Sequence, residues 1–345
     1  MSSSTAVPKG STIIVTGANG YLGMHVADQL LASGYKVKGT VRDADKVQWT
    51  TEYFNEKYGK GSYEAVIVDD FAKEGAFDHL SLPGSTGVIH VASDVTFGPD
   101  PNEVIPGVID GITSLLNSAA LEPSIKSFVL TSSSAAIDQG RLGQKYLVDG
   151  NLWNHEAVKA AWAPPPYTAE RAIMVYFASK TQAEQKAWEL VKSGECSDLR
   201  FNAVNPNFMM GRFLHPKQNK SSGGMVMGVR NNDSRAVDTF KSFGWQWMVD
   251  VVDVAKLHVI ALVDPAVRNE RILAYTEKTN FNILVDRIGK VLGPDAIRYL
   301  EKIEEGEKDL REVDVKRSEE LLRGVGLSGF KGFDQTLKEL FESAA

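Results

Sequence analysis

Short apolar runs alternate with longer stretches of helical spacing over the first two thirds of the chain. The runs are Thr12–Val15, Lys36–Val41, Ala65–Val68, Val88–Val91, Phe128–Leu130 and Phe201–Val204, each about the length of a buried strand. Between them, Tyr21–Leu31, Val104–Ala120 and Arg171–Val191 repeat apolar residues at helical intervals; in the first, Leu22, Val26, Leu30 and Leu31 share a face. Buried strands alternating with helices predict right-handed βαβ units and a parallel sheet covered on both faces. After Pro206 the rhythm breaks. Residues 206–245 show no clean period, Trp245–Val252 reads as a strand, Asp253–Val263 as a helix, and the remainder as mainly helical. The expected architecture is α/β. A doubly wound parallel sheet occupies residues 1–205, 246–264 return to it, and a smaller, mostly helical C-terminal part covers 206–345.

Composition narrows the function classes. A chain of 345 residues, 43% hydrophobic and 24% charged, is ordinary globular material. Its net charge of −6 comes without a basic block, which argues against nucleic-acid and membrane-surface partners. The N-terminus has no signal-peptide pattern, and no apolar run of about 18 residues predicts a span. The single cysteine, Cys196, excludes an internal disulfide and fits a reducing compartment, so a cytosolic protein is expected. No His lies near Cys196 in sequence, so it reads as structural. No metal site is expected.

The first strand leads into Thr16-Gly17-Ala-Asn19-Gly20-Tyr21-Leu22-Gly23 and then a helix. Gly17 permits the tight turn, Gly20 lets the backbone approach phosphates, and Gly23 lets helix pack closely on strand; the helix N-terminus then holds a dinucleotide pyrophosphate. The sheet is therefore expected to be a Rossmann sheet. A literal GxGxxG at Gly324, Gly326 and Gly329 follows the helical-looking Ser318–Arg323 rather than a strand, and is set aside. The second strand ends in Thr40-Val41-Arg42. Arg42 can grip a 2′-phosphate, with Lys46 adding charge, which favours NADP(H) over NAD; Asp43 beside it is the opposing signal. Asp70 reads either as an acceptor for the adenine amino group or as a helix cap before Phe71–Ala76. His90-Val91-Ala92-Ser93 should line the crevice under the adenosine, with His90 a satisfied core histidine.

Carbonyl reduction without a metal needs a proton donor, a group that lowers the donor's pKa, and a second hydrogen bond to the carbonyl oxygen. Tyr and Lys at i and i+4 share a helix face, and an ammonium stabilises phenolate. Two such pairs exist, Tyr53–Lys57 and Tyr176–Lys180. The first falls in the helix after the second strand, at the adenosine end. The second follows Thr131-Ser132-Ser133-Ser134 at the C-terminal end of the fifth strand, where ligands bind in such sheets. Tyr176–Lys180 is therefore the expected reactive pair.

The segments TGANGYLG (16–23), TVRD (40–43), HVAS (90–93), TSSS (131–134) and YFASK (176–180), with Asn205-Pro206 and Met248–Asp253, resemble the extended short-chain dehydrogenase/reductases. Within them the chain looks most like the dihydroflavonol-reductase-like group, and there the yeast NADPH-dependent aldehyde and carbonyl reductases of the aldehyde reductase II type. The resemblance implies Ser133 as catalytic serine, Tyr176 as general acid and Lys180 as its partner, holding also the nicotinamide ribose. It implies Arg42 on the 2′-phosphate and Pro206 and Phe208 beside the nicotinamide. The cofactor-binding set is then Gly17, Asn19, Gly20, Tyr21, Leu22, Arg42, Lys46, Asp70, Phe71, Val91, Ala92, Ser93, Thr131, Tyr176, Lys180, Pro206 and Phe208. Many superfamily members carry a relay Asn on a helix; Val104-Ile-Pro106-Gly shows none, which leaves the proton route open.

Large apolar residues in loops that could reach the crevice, Val95, Phe97, Trp162, Phe208, Met225, Phe243 and Trp245, would wall a substrate pocket with Ser133 and Tyr176, suited to aromatic ketones, aldehydes or keto esters. Core packing explains each of them singly as well. By resemblance the protein is a monomer or homodimer. Two rivals remain: a sugar-nucleotide epimerase or dehydratase, for which Arg212, Lys217 and Lys220 leave a basic site open, and a non-catalytic NADP-sensing regulator, which typically lacks the Tyr–Lys pair.

Overall fold

The computed structural model describes residues 5–73, 75–77, 84–196, 199–219 and 221–344. The strands are β1 (Thr12–Val15), β2 (Lys36–Val41), β3 (Tyr63–Ile67), β4 (Ser85–His90), β5 (Ser127–Thr131), β6 (Leu147–Val148), β7 (Arg200–Pro206), β8 (Phe208–Met210), β9 (Gln246–Asp250), β10 (Arg271–Ala274), β11 (Glu277–Thr279) and β12 (Glu312–Val313). Seven of them form one parallel sheet in the order β10-β7-β5-β4-β1-β2-β3. The order reverses between β1 and β4, and the crevice at that switch point is where such sheets bind nucleotides.

The helices are α1 (Tyr21–Ala32), α2 (Ala44–Tyr58), α3 (Pro101–Leu121), α4 (His155–Ala161), α5 (Ala172–Ser193), α6 (Ser222–Arg230), α7 (Ser234–Ser242), α8 (Val251–Val263), α9 (Phe281–Leu292), α10 (Lys316–Gly324) and α11 (Phe333–Ser343). Side chains alternate across the central strands, so both sheet faces are apolar. Ile14, Val88 and Phe128 pack on one face with Ile112, Leu115 and Leu116 of α3 and Ala187 and Trp188 of α5. Ile13 and Val15 pack on the other with α1 and α8. That second core continues without a break into the C-terminal part, through Phe208, Leu284, Ile288, Phe333 and Leu337. Helix α3 is long and apolar enough to cross a membrane by length and composition, although the sequence pattern predicted no span. Here it lies against α5, with its apolar stripe in the core.

The C-terminal part is tied to the sheet in a different way from the one the pattern predicts. Helix α8 does pack on the main sheet, beside α1. The strand before it, β9, does not join that sheet; it pairs with β8 and β11 in a separate three-stranded sheet. The seventh main-sheet strand is instead β10, from the stretch assigned to the C-terminal part.

Candidate active site

Gly17 turns the chain from β1 into α1 at φ +63°, and a Cβ there would meet the Ala92 backbone at 3.2 Å. Gly23 is more constrained, since a Cβ would lie 2.1 Å from the Gly17 carbonyl oxygen. Internal bonds shape the turn: the Gly20 N–H donates to the Gly17 oxygen (2.9 Å) and the Ala18 N–H to Thr40 O (3.0 Å). Helix α1 begins with no side-chain cap and no acid in its first turn. Its leading N–H groups, with the positive end of the helix dipole, form a cradle for an anion, which fits a dinucleotide pyrophosphate. Tyr21 and Leu22 serve that cradle only through their backbone. The Tyr21 hydroxyl donates to Gly211 O at 2.5 Å, and both side chains are buried. The literal GxGxxG lies at the C-terminal end of α10, where Gly326 and Gly329 take positive φ as the helix stops.

The Thr16 hydroxyl accepts from the Val91 and Ala92 N–H groups, both at 3.0 Å, pinning the end of β4 to the glycine loop. Its own proton then goes to His90 Nδ1 at 2.8 Å, so His90 is a buried residue tied to the glycine loop through that nitrogen. Burial, and secondarily the charge of Lys180, lowers its pKa to about 3. Ser93 follows; its hydroxyl is buried and has no partner among the described residues.

At the end of β2, Arg42 is exposed and makes no hydrogen bond or ion pair among the described residues. Asp43 is the N-cap of α2: it accepts from the Lys46 N–H at 3.0 Å and pairs with the Lys46 ammonium. The acid that argued for NAD is thus engaged in starting a helix, and Lys46 is engaged with it. Asp70 is exposed and accepts from the Ala72 N–H at 2.9 Å. Residues 71–73 and 75–77 run as turns and bends, so Asp70 closes a turn rather than capping a helix. Phe71 packs edge-on to His90 and against Gly111 of α3.

The reactive side chains come from two elements. Ser133 leaves β5 and caps a short 3₁₀ turn, its hydroxyl accepting from Ala135 N–H at 3.1 Å. Tyr176 and Lys180 lie one turn apart on α5. Burial raises the Tyr176 pKa, and the neighbouring Ser133 side chain opposes that rise; the turn that Ser133 caps packs on α5, where the Thr181 hydroxyl donates to Ala135 O at 3.5 Å. Burial lowers Lys180 to about 8, and the charge of Glu184 opposes it. Lys180 makes no hydrogen bond among the described residues and lines a cavity of about 20 Å³ with His90, Ala92, Ser93 and Glu184. The rival pair is structural: Lys57 donates to Asp28 of α1 at 2.5 Å, and burial raises Tyr53 to about 12.

Thr131 is a cofactor-binding candidate whose hydroxyl does not face the crevice. It donates to His258 Nε2 of α8 at 2.8 Å, because His258 Nδ1–H is already committed to Val254 O. Pro206 ends β7, and Phe208 follows it with its ring edge-on to Phe240 and Phe243. Phe97, in a left-handed conformation at φ +56°, lays its ring 4.9 Å from that of Tyr176. Val95 beside it is exposed. Met225 and Phe243 pack on the C-terminal core, and the Trp245 indole donates to Glu307 O at 3.1 Å. Trp162 is a correction. Its indole donates to Gln182 at 2.8 Å, and Gln182 points about 200° around α5 from Lys180, so Trp162 sits on the outer side of that helix. Of the basic residues considered for a sugar-nucleotide site, Lys217 is paired with Asp45 at 3.0 Å, Arg212 is half-buried, and Lys220 lies outside the described residues. Glu184 was not singled out from the sequence. The available signal was a charge four residues past Lys180 on the buried stripe of α5.

Comparison with known proteins places the chain in a family. The model of the 3-beta hydroxysteroid dehydrogenase/isomerase family matches residues 14–191. Aldehyde reductase 2 of Sporidiobolus salmonicolor is 35% identical over 341 residues, covering 98% of this chain and 97% of its own. The NAD-dependent epimerase/dehydratase terH of Aspergillus terreus is 35% identical over 342 residues, covering 99% of each chain. Among solved structures, Gre2 of Candida albicans in complex with NADPH superposes with a TM-score of 0.80 at 26% identity, covering 98% of both chains. With its family-model match, its full-length relatives and its seven-stranded Rossmann sheet, the chain belongs to the 3-beta hydroxysteroid dehydrogenase/isomerase family of extended short-chain dehydrogenase/reductases.

Proposed function

We propose that this protein reduces small aldehydes and ketones, aromatic ketones and keto esters among them, to alcohols with NADPH. What supports the reading is that Ser133, at the C-terminal end of β5, caps a turn that packs on α5, the helix carrying Tyr176 and Lys180, and that Lys180 shares a cavity with Ala92, which abuts the glycine cradle at Gly17. A dinucleotide held in this cradle would supply a hydride for the carbonyl carbon. The chain's own groups do the rest. Ser133 holds the carbonyl oxygen by a hydrogen bond. The Tyr176 phenol gives that oxygen its proton as charge develops there. The Lys180 ammonium stabilises the phenolate left behind and would hold the nicotinamide ribose. Gly17, Gly20 and the first turn of α1 would hold the pyrophosphate, and Arg42 the 2′-phosphate. Phe97, Phe208 and Phe243 offer an apolar wall for the substrate. The same reading has the protein cytosolic with no nucleic-acid or membrane partner, supported by the charge pattern and the lone, buried Cys196, and, by resemblance alone, a monomer or homodimer.

The test is loss of NADPH absorbance, and separately of NADH, with a panel of aryl ketones, keto esters and aldehydes. NADPH is expected to be consumed faster than NADH. Tyr176→Phe is expected to lose ~10²- to 10⁴-fold in turnover, the usual worth of a general acid, while binding NADPH normally. A Tyr176→Phe protein that turns over like wild type sinks the assignment. Two relatives of this chain carry epimerase/dehydratase names, so a sugar-nucleotide assay follows if no carbonyl is reduced.

A further inference from the structure

The buried stripe of α5 continues beyond Lys180. One turn on, Glu184 is completely buried. An unpaired carboxylate there would be strongly disfavoured, but every direction around this one supplies a donor. Oε2 accepts from the Ser132 hydroxyl at 2.6 Å, the Asn205 side-chain amide at 2.9 Å and the Arg271 guanidinium at 3.2 Å. Oε1 accepts from Arg271 Nε at 2.6 Å and the Trp188 indole at 3.1 Å. Arg271 is itself held by Gly150 O and Leu152 O, at 2.8 and 2.6 Å.

Two of these donors adjoin the chemistry. Ser132 precedes Ser133, and Asn205 precedes Pro206. The Asn205 amide also donates to Ser133 O at 3.3 Å. Helix α5 and strands β5, β7 and β10 therefore converge on a single carboxylate behind the reactive groups. A buried ion pair adds little net stability over a well-packed apolar pair; what this one adds is a fixed spacing between the strand end carrying Ser133 and the helix carrying Tyr176 and Lys180. The groups around Lys180 are Tyr176 and Glu184 on its own helix, neutral His90 on β4, the Ser132 hydroxyl just past β5, and Arg271 of β10 beyond Glu184, while the Thr131 hydroxyl at the end of β5 turns away to His258. Glu184 is the one whose charge favours the ammonium.

We propose that Glu184 is a positioning residue of this active site. It sets Ser133 against Tyr176 through Ser132 and Asn205, and it lies one turn along α5 from Lys180, on the same buried stripe. The inference rests on the reductase reading.

The test uses full-length wild type, Glu184→Gln, Glu184→Asp and Ser132→Ala, assayed by NADPH oxidation on one aryl ketone that wild type reduces. The measurements are kcat and KM over roughly pH 6–10, thermal midpoint and NADPH binding by fluorescence. Glu184→Gln is expected to lose ~10- to 100-fold in kcat, the scale of a small misplacement of reacting groups, with NADPH affinity within about twofold. Its basic limb should move to lower pH, because Lys180 loses the charge that favours its protonated form. Ser132→Ala should lose about 3- to 10-fold in kcat, the worth of one hydrogen bond, with the limb in place. Glu184→Asp should restore the limb but not the full kcat.

A folded Glu184→Gln enzyme with wild-type kcat and limb overturns the proposal. So do losses that follow the thermal midpoint alone. If Glu184→Gln does not fold, wild-type kcat in both Glu184→Asp and Ser132→Ala overturns it. A wild type that consumes no NADPH on any carbonyl refutes the reductase reading and this inference with it; an active wild type with indifferent variants refutes the inference only.

Discussion

Replacing Arg42 by alanine should convert a preference for NADPH into near indifference between NADPH and NADH. The structure isolates this side chain unusually well. Arg42 is exposed and unpaired among the described residues, so its removal breaks no folded-state contact and should shift stability by no more than ~0.5 kcal/mol. Its neighbours cannot take over: Asp43 caps α2 and Lys46 is paired with Asp43. A hydrogen bond to a charged group is worth ~1.5–3 kcal/mol, which corresponds to roughly 10- to 150-fold in affinity. Solvent screening at so exposed a site places the expected loss near the lower bound, about tenfold, and shrinking as salt rises. The assay is kcat/KM for each cofactor at low and high salt, with the thermal midpoint as control. NADPH should lose about tenfold at low salt while NADH is unaffected. An unchanged ratio in a fully stable variant would place the 2′-phosphate elsewhere and remove the main argument for NADP.

Two further outcomes follow from the geometry. In Gly23→Ala the new methyl would sit 2.1 Å from the Gly17 carbonyl, so the phosphate loop must shift by about 1 Å, and NADPH affinity should fall by ~10²-fold; unaltered fluorescence titration of NADPH would contradict the cradle. Acid should destabilise the fold through three buried histidines. Burial lowers His25, His90 and His258 to about 4, 3 and 4, so the unfolded chain takes up their protons first as pH falls. Asp253, raised by burial to about 6, opposes them by one proton. The net uptake of two protons predicts a loss of ~3 kcal/mol per pH unit between about pH 6 and pH 4. A urea midpoint that stays level over that range would refute the histidine argument.

The sequence by itself determined whatever depends on short range. Strand and helix periods come from a side chain's neighbours two to four positions away, so six strands, the principal helices and the glycine turn are legible in order. So is the Tyr176–Lys180 pair, because helix geometry alone sets its spacing, and strand order places Ser133 near it. Only tertiary structure decided the rest, because pairing and burial join residues far apart in the chain. It sent β9 to a small sheet and brought β10 to the large one, which the four residues Arg271–Ala274, with no alternation, could not announce. It put Trp162 behind α5 although loop position and size suggested a pocket wall. It turned Thr131 toward α8, and it resolved Asp43 from a possible ribose ligand into a helix cap. It also gathered Ser132, Glu184, Asn205 and Arg271, spread over more than a hundred residues, around one carboxylate. No local pattern marks such a convergence, since a charged residue on a helix reads as solvent-facing until the sheet that buries it is in place.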